Sequence, residues 1–369
     1  MWSLVIPGRS AASALKWVDL HRIGGSTYAE KVDETTRRVE QMYDAFPYPS
    51  PKGSGQSLKE LRNLLTIFAA ENRYAFRGKR VLDAGTGTGL RLIEAARAFP
   101  DTHFVAVDVS ETPLQMARQA ASEAGVRNVE FRRCNLMEEG AGPGEDLGVF
   151  DVVLCMGVLH HLSDPAMGLR RLVRGLASDG LLFLYIYGAH GARERIRRKR
   201  IVSMLQGREG GSFEQGIRLV TDLAFDTFDY GWNLGAEDEA SRKSLIVDAY
   251  LHVNERLFEA ESIFELMRAS GLFGFAAYGL TLAQRGCLFD ARYAPAKRGM
   301  IESTAVEKHL KSQELREAYE RLELADRYRL IDLLFEPNGY TLLGFLEGGA
   351  GLFGAESRVA ANTLRISEI

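Results

Sequence analysis

The sequence predicts an α/β fold in which helices cover both faces of a doubly wound, mostly parallel sheet. Short apolar runs rich in β-branched and aromatic residues recur between residues 80 and 188. The segments between them have helical spacing of their apolar residues. Each run ends next to a polar residue, as expected where the carboxyl ends of parallel strands face a ligand.

Five predicted strands are nearly continuous apolar runs, which is typical of parallel strands buried on both faces. They are "RVLDAG" (80–85), "HFVAVD" (103–108), "VEFRR" (129–133), "FDVVLCMG" (150–157) and "GLLFLYIYG" (180–188). Two later runs, "LFGFAAYGLTL" and "GYTLLGFL", predict two further strands. We therefore expect a seven-stranded sheet.

The segment "DPAMGLRRLVRGLAS" shows the helical pattern most clearly. Asp164 is a good N-cap, and Pro165 suits the first helical turn. The apolar residues fall on one helix face at i, i+3, i+4 and i+7: Leu169, Leu172, Val173 and Leu176.

Composition excludes several classes of protein. The chain has 369 residues and a formal net charge of −3, which gives no electrostatic case for DNA. Cys134, Cys155 and Cys287 are odd in number and widely spaced, so they predict no disulfide framework and no metal site. No apolar run approaches the ~18 residues of a membrane span. We expect a cytoplasmic protein.

The chain divides into a core and several additions. Residues 189–258 and about 300–336 predict two helical insertions, because unstructured loops of that length are uncommon in a compact domain. We interpret "RERIRRKR" (193–200) as a solvated helix face, with an anion site as the alternative. The predicted segments are 1–56 (helical lid), 57–188 (cofactor-binding core), 189–258 (insertion over the substrate site), 259–350 (end of the core) and 351–369 (tail).

The stretch "VLDAGTGTGL" (81–90) places three glycines after the first strand. Its G-x-G-x-G spacing puts Leu90 where a dinucleotide fingerprint needs glycine, and no P-loop lysine follows. Asp83 would repel a pyrophosphate but attract an ammonium group. Asp108 follows Gly85 by 23 residues, the position of a ribose-binding carboxylate. These residues indicate a cofactor that has a ribose and a cationic amino group but no phosphate. S-adenosylmethionine has this composition.

The chain resembles the class I S-adenosylmethionine-dependent methyltransferases, of Rossmann-like fold. The resemblance rests on five motifs in order, over about residues 57–187 and 257–281. They are "VLDAGTGTG", "VAVDVS", "RRCNLM", "FDVVLCMGVLHHL" and "LVRGLASDGLLFLYIYG", followed by "LFEAESIFELMRASGLFGF". The family implies the strand order 3-2-1-4-5-7-6 with the seventh strand antiparallel. Asn135 replaces the aspartate usual in the third motif.

The resemblance also implies a set of cofactor-binding residues. Asp83, Gly85, Thr86 and Gly87 would line the methionine part, and Asp108 would bind the ribose. The adenine side and the remaining contacts would come from Val109, Asn135, Leu136, Cys155 and Met156.

Candidates for the acceptor site come from three segments outside the glycine turn. His160 and His161 follow the fourth strand and are candidate general bases, although methyl transfer often needs proximity alone. Aromatic residues in "YDAFPYPSP", among them Tyr43 and Tyr48, would form a lid that excludes water. Four further candidates would lie near the methyl group, opposite Tyr43: Tyr187, Asp248, Tyr250 and His252.

The sequence predicts a methyltransferase that acts on an N, O, S or C atom, most simply of a small molecule. A protein- or RNA-modifying enzyme is an alternative, and it would show an open cleft with basic rims. A non-catalytic cofactor-binding module is the second alternative, and it would lack a cavity beside the methyl group. The [DN]-P-P-[YF] signature of base-amine methylation is absent from "CMGVLHHL". The oligomeric state is open.

Overall fold

The computed structural model describes residues 28–49, 57–207, 211–227, 238–282, 286–287, 310–354 and 357–369. Nine strands in these residues belong to one sheet. They are β1 (Arg80–Ala84), β2 (His103–Asp108), β3 (Val129–Arg133), β4 (Phe150–Met156), β5 (Leu176–Tyr187), β6 (Gly274–Leu282), β7 (Gly286–Cys287), β8 (Gly339–Phe345) and β9 (Thr363–Arg365).

The strand order is β3-β2-β1-β4-β5-β8-β6-β7, with β9 paired to β6. Strands β1 to β5 pair in parallel, and β8 is antiparallel to both β5 and β6. The predicted fold and strand order are confirmed for the seven long strands. The short β7 and β9 were not predicted, because each pairs with β6 over three residues or fewer and has no periodicity of its own.

Helices lie on both faces of the sheet. One apolar core lies between the sheet and α5, α9 and α11, and the other lies between the sheet and α2 and α3. The helices are α1 (Tyr28–Ala45), α2 (Glu60–Asn72), α3 (Leu90–Ala98), α4 (Glu111–Glu123), α5 (Pro165–Arg174), α6 (Arg193–Gln206), α7 (Phe213–Asp222), α8 (Glu239–Ile246), α9 (Ala260–Arg268), α10 (Gln313–Glu320), α11 (Leu324–Phe335), α12 (Glu347–Ala350) and α13 (Arg358–Ala361).

Helix α5 begins as its sequence predicts. The Asp164 side chain accepts a hydrogen bond from the Met167 N–H at 2.9 Å, and Pro165 occupies the first turn. This capping fixes the short loop between β4 and α5, and that loop contains His160 and His161. Local sequence therefore determines where the two histidines leave the sheet.

Helices α6, α7 and α8 form a small unit with its own apolar core, which we call the roof (residues 193–251). Helix α8 continues into a π-helical turn, Val247–Leu251. The roof meets the carboxyl end of β5, where Gly188 bridges Phe258 and Arg195 lies over the Tyr187 ring. Its core consists of Met42, Val202, Ile217, Val220, Ile246, Val247 and Tyr250.

Helix α1 connects the roof to the half of the sheet that contains β2 and β3. Met42 lies in the roof core, whereas Asp44 accepts a hydrogen bond from the Thr112 N–H in the first turn of α4. Glu40 pairs with Arg133 at the end of β3, and its backbone carbonyl accepts a hydrogen bond from Ser110. The end of α1 is thereby held above the carboxyl ends of β2 and β3.

Parts of the predicted lid, insertions and tail lie outside the described residues, namely 1–27, 50–56, 208–210, 228–237, 300–309 and 355–356. Within the described ranges, no helix has the length and apolarity needed to cross a membrane.

Asp332 on α11 links the second insertion to the sheet. It is 3% exposed, accepts a hydrogen bond from the Ala260 N–H at 2.9 Å and another from the Tyr340 hydroxyl. Asp332→Ala leaves both donors buried and unpaired, so we expect the free energy of unfolding to fall by about 2–4 kcal/mol.

Urea denaturation measures this change. Asp326→Ala on the same helix is the control, because Asp326 is exposed and pairs with Arg329 at the surface. Its effect should stay below about 1 kcal/mol. Equal losses in the two variants would contradict the role assigned to Asp332.

Candidate active site

The glycine turn after β1 brings the ends of β1 and β2 together. Gly85, Gly87 and Gly89 all have positive φ angles, 82°, 56° and 69°. The Asp108 carboxylate accepts hydrogen bonds from the Gly87 N–H at 2.8 Å and the Ser110 N–H at 3.0 Å. The turn is thus closed onto the end of β2 by a partly buried carboxylate.

Gly89 serves helix packing and not ligand approach. It precedes α3, and a Cβ at this position would lie 2.7 Å from the Ala117 Cβ of α4. Only glycine lets α3 pack this closely on α4. In a dinucleotide fingerprint the third glycine allows the helix to pack closely, and it stands one position later than Gly89 does here. Gly89 therefore has the same packing role.

Asp83 ends β1 beneath the turn and is 6% exposed. Burial raises its pKa to about 6, against the lowering effects of the Thr86 hydroxyl and the Arg91 charge. Burial also raises the pKa of Asp108, and hydrogen bonds from backbone N–H groups oppose that change. A buried and a partly buried carboxylate at neighbouring strand ends form an environment that favours a cation and a hydrogen-bond donor.

The N-terminal segment passes directly over this turn. The Tyr48 carbonyl accepts from the Thr88 N–H at 3.3 Å, and the Thr88 hydroxyl donates to the Pro49 carbonyl at 2.6 Å. A Cβ on Gly87 would lie 2.1 Å from the Tyr48 carbonyl oxygen. Gly87 is therefore required for the close contact between the N-terminal segment and the turn.

Three histidines and a tyrosine stack at the carboxyl ends of β4 and β5. The His160 ring stacks on Tyr187 at 3.9 Å between centroids and meets His161 edge-on at 4.1 Å. His161 stacks on His252, which follows the π-helical turn of the roof, at 3.6 Å and 13°. Desolvation by burial lowers the pKa of all three imidazoles, so each is neutral at pH 7.

Hydrogen bonds define the tautomers of two of these rings. The His161 Nδ1 lies 2.9 Å from the Asn254 carbonyl, which can only accept, so Nδ1 carries the proton and Nε2 has a free lone pair. The His252 Nδ1 accepts from the Asn254 N–H at 3.1 Å, so its proton is on Nε2. Asn254 thereby orients both rings.

Tyr43 joins His252 to a buried carboxylate. The Tyr43 hydroxyl lies 3.1 Å from the His252 Nε2 and 3.1 Å from the Asp248 Oδ1. Because His252 donates through Nε2, Tyr43 accepts from it and donates to Asp248. Burial raises the pKa of Asp248, while His161 and the Tyr43 hydrogen bond act in the opposite direction.

His161, His252 and Asp248 have the composition of a metal site, and one ligand atom from each lies within 4.8 Å of the others. An imidazole nitrogen binds a metal in the plane of its ring. The His161 and His252 rings are stacked almost parallel, so no single point lies in both ring planes close to a nitrogen of each ring. His252 also presents a protonated Nε2. In this arrangement the group suits proton transfer and not a shared metal ion.

Part of the arginine-rich stretch faces inward. Arg195 and Lys199 pair with the buried Glu255 at 2.8 and 3.4 Å, and Lys199 also donates to the His252 carbonyl at 3.1 Å. Arg193 and Arg197 are exposed and pair with Glu336 and Glu194. Our interpretation as a solvated face holds for only one side of α6.

The acceptor-side candidates separate into two groups. The first group forms the cluster described above and consists of Tyr43, His160, His161, Tyr187, Asp248 and His252. Tyr250 lies instead in the roof core, with its hydroxyl 2.9 Å from the Phe225 carbonyl to which it donates. Asp248 and Tyr250 are two residues apart in the π-helical turn, and their side chains point to opposite sides of it. Tyr43 lies beside Asp248 and His252 and not opposite them, because α1 inserts between the roof and the glycine turn.

The adenine-side candidates lie around the ends of β2, β3 and β4. Asn135 accepts a hydrogen bond from the Met137 N–H at 2.9 Å, which orders the turn after β3, and Leu136 is buried. Val109 accepts from Arg133 at the end of β2. Cys155 is buried in the core with its pKa raised to about 12 by burial, and Met156 is its partly buried neighbour.

Sequence reasoning missed Asn254, Glu255 and Arg91. Asn254 and Glu255 lie in a stretch without helical or strand periodicity, so nothing local indicated their contacts. Arg91 offered a signal, because it follows the glycine turn by two residues.

Comparison with known proteins agrees with this geometry. Residues 75–196 match a family model described as a methyltransferase domain. An uncharacterized protein from Synechococcus sp. is 27% identical over 321 residues, which cover 84% of this chain and 71% of the relative. A ubiquinone biosynthesis O-methyltransferase from Marinobacter nauticus is 34% identical over 122 residues, 33% of this chain and 50% of the relative.

A solved structure shares the fold. PKMT2 from Rickettsia typhi in complex with AdoHcy aligns with a TM-score of 0.53 at 17% identity, over 82% of this chain and 55% of that chain. The chain spans about half the length of this protein and of the Marinobacter relative. Residues 75–196 therefore form a methyltransferase domain, and the chain shares the fold of PKMT2. The predicted class, the Rossmann-like methyltransferases that use S-adenosylmethionine, is confirmed for this domain.

The raised pKa of Asp83 predicts a pH-dependent stability. The protonated carboxyl stabilises the folded state below the ordinary pKa of 3.8, and this contribution is lost as the pH rises through about 6. Above pH 6 the buried charge costs up to about 3 kcal/mol. Asp83→Asn should therefore raise the unfolding temperature at pH 8 more than at pH 5.

Thermal unfolding of the ligand-free protein at both pH values measures this difference. Asp101→Asn is the control, because Asp101 is exposed and pairs with Arg77. A gain from Asp83→Asn that does not change with pH would contradict the assignment.

Proposed function

We propose that the chain transfers a methyl group from S-adenosylmethionine to a heteroatom of a small molecule, with His161 as the general base. The observation that carries this proposal is the buried cluster of His161, His252, Tyr43 and Asp248 at the carboxyl ends of β4 and β5. When bound, S-adenosylmethionine supplies a methyl group that is attached to a sulfonium sulfur. After the transfer, this sulfur is the neutral thioether of S-adenosylhomocysteine.

The residues at the ends of β1 and β2 fit this cofactor. The Asp108 carboxylate is oriented by two backbone N–H groups and can accept from ribose hydroxyls. Burial raises the pKa of the Asp83 carboxyl, because its charged form is desolvated. The amino group of the cofactor would stabilise this charge. Gly85 and Gly87 keep the turn free of side chains of its own, and the Val158 side chain and the Tyr48 carbonyl pack against them.

The acceptor cluster is electrostatically continuous with the cofactor site. The charge of Asp108 contributes to the raised pKa of Tyr43, after burial, Asp248 and Tyr187. Tyr48, whose carbonyl contacts the glycine turn, is in turn influenced by the charge of Asp248. A methyl acceptor between these groups would be close to both the cofactor and the bases.

His161 has the properties of a general base. Its Nδ1 proton is fixed on the Asn254 carbonyl, and its Nε2 lone pair is available. Burial lowers its pKa, so it is unprotonated at neutral pH, and the nearby Asp248 favours the imidazolium that forms. The proton of the acceptor passes to Nε2 as the acceptor heteroatom bonds to the methyl carbon.

The remaining cluster residues position the base and exclude water. His252 stacks on His161 and is held by Asn254 and Tyr43, while His160 and Tyr187 cover the other side. His160, His161 and His252 are each less than 5% exposed. This burial favours a small acceptor, because an open cleft would be needed for a protein or RNA chain.

We expect Asp108→Ala to weaken binding of S-adenosylhomocysteine by about 1–3 kcal/mol, because ribose hydroxyls lose their acceptor. Isothermal titration calorimetry measures this change, with Asp101→Ala as an exposed control. NAD should not bind. Equal affinities of wild type and Asp108→Ala would refute the ribose assignment.

The acceptor class is tested with methyl-labelled S-adenosylmethionine and an extract of the source cells, separated into small molecules, protein and RNA. We expect label in the small-molecule fraction. Label confined to protein or RNA would overturn the proposed acceptor class, and no transfer to any fraction would favour a non-catalytic module.

With the labelled acceptor in hand, His161→Ala should lower kcat by roughly 10²–10⁴-fold and leave S-adenosylhomocysteine affinity unchanged. The activity of the wild type should fall as the pH drops through the lowered pKa of His161. His103→Ala is the control, because His103 is exposed on β2. If His161→Ala keeps the wild-type kcat, proximity alone drives transfer.

A further inference from the structure

Arg91 is a buried cation that the proposed chemistry does not use. It lies in the first turn of α3, two residues after Gly89. Its Nε and Nη2 atoms are buried and have no hydrogen-bond partner within the part of the chain that the structure describes. An arginine is always charged, so two unmet donors on a buried guanidinium are costly without a ligand.

The two unmet donors lie on the same edge of the guanidinium. Nε–H and Nη2–H point in parallel and match the two oxygens of a carboxylate in a side-on, bidentate pair. This geometry suits a planar carboxylate better than a single hydroxyl or carbonyl oxygen. The donor edge fits a carboxylate or a phosphate, and the nearby buried carboxyl group of Asp83 disfavours the more highly charged phosphate.

The Arg91 side chain lies close to the segment that covers the glycine turn. The Arg91 guanidinium carbon lies 5.8 Å from the centre of the Tyr48 ring, and Tyr48 contacts the glycine turn. Tyr48 and Glu60 act on the Arg91 charge more strongly than Tyr187 does, and Arg91 in turn acts on Asp83. Arg91 thus lies near both the N-terminal segment and the buried carboxylate at the end of β1.

We propose that Arg91 is a carboxylate-binding residue that selects ligands bearing a carboxylate at this position. Two sources fit the chemistry, the amino-acid part of S-adenosylmethionine and an acidic acceptor. Asp83 and Arg91 together present one buried carboxylate and one buried guanidinium, which complement the ammonium and carboxylate of an α-amino acid. The first source rests on the proposed function, whereas the second does not depend on which cofactor is bound.

The test uses the full chain and the variants Arg91→Gln and Arg91→Lys. Calorimetry compares S-adenosylhomocysteine with 5′-methylthioadenosine, which has the nucleoside and thioether but lacks the amino acid. A second measurement follows the unfolding temperature with sodium benzoate against sodium chloride at equal ionic strength. Arg97→Gln is the matched control, since Arg97 is on the same helix, exposed, and paired with Glu94.

If the carboxylate belongs to the cofactor, Arg91→Gln weakens S-adenosylhomocysteine roughly 10- to 100-fold and leaves 5′-methylthioadenosine unchanged. Arg91→Lys falls between, because it keeps the charge and loses the fork. If the carboxylate belongs to the acceptor, nucleoside affinities stay constant, and benzoate stabilises the wild type but not Arg91→Gln.

An equal loss for both nucleosides would indicate a structural role and overturn the proposal, as would no change in either measurement. The proposed function fails separately, when the wild type binds neither nucleoside. In that case the benzoate measurement alone decides whether Arg91 binds carboxylates.

Discussion

The carboxylate of Asp108 is the interaction on which the site depends. It ends β2 and holds two backbone N–H groups, one from the glycine turn after β1 and one from the start of α4. In the proposed function the same carboxylate accepts from the ribose, so the groups that close the turn also set the position of the nucleoside. Desolvation makes this carboxylate costly, and the hydrogen bonds offset part of that cost.

Helix α1 extends this arrangement to the acceptor side. Its last turn contacts α4 through Asp44, the roof core through Met42, and the histidine cluster through Tyr43. A segment distant in sequence thus connects the ends of β2 and β3 to the histidine cluster.

The roof places its functional residues through an irregular helix end. The π-helical turn Val247–Leu251 turns Tyr250 into the roof core and Asp248 toward the histidines. Such turns are frequent at functional sites, because the extra residue changes which side chains share a face. The buried Arg195–Glu255 pair then fixes the chain that follows, including Asn254, against α6.

The sequence alone determined the strands, the helices between them and the glycine turn, and the resemblance to a known family supplied the strand order. The strands and the turn depend on local patterns, namely apolar runs, helical spacing, the Asp164 cap, three spaced glycines and Asp108, and each pattern spans few residues. Tertiary structure alone decided the histidine cluster. Tyr43 and His252 are 209 residues apart in the chain, and the opposite orientations of Asp248 and Tyr250 follow from one π-helical turn. Sequence periodicity carries no information about contacts of that range, because they are set by how separate helices pack.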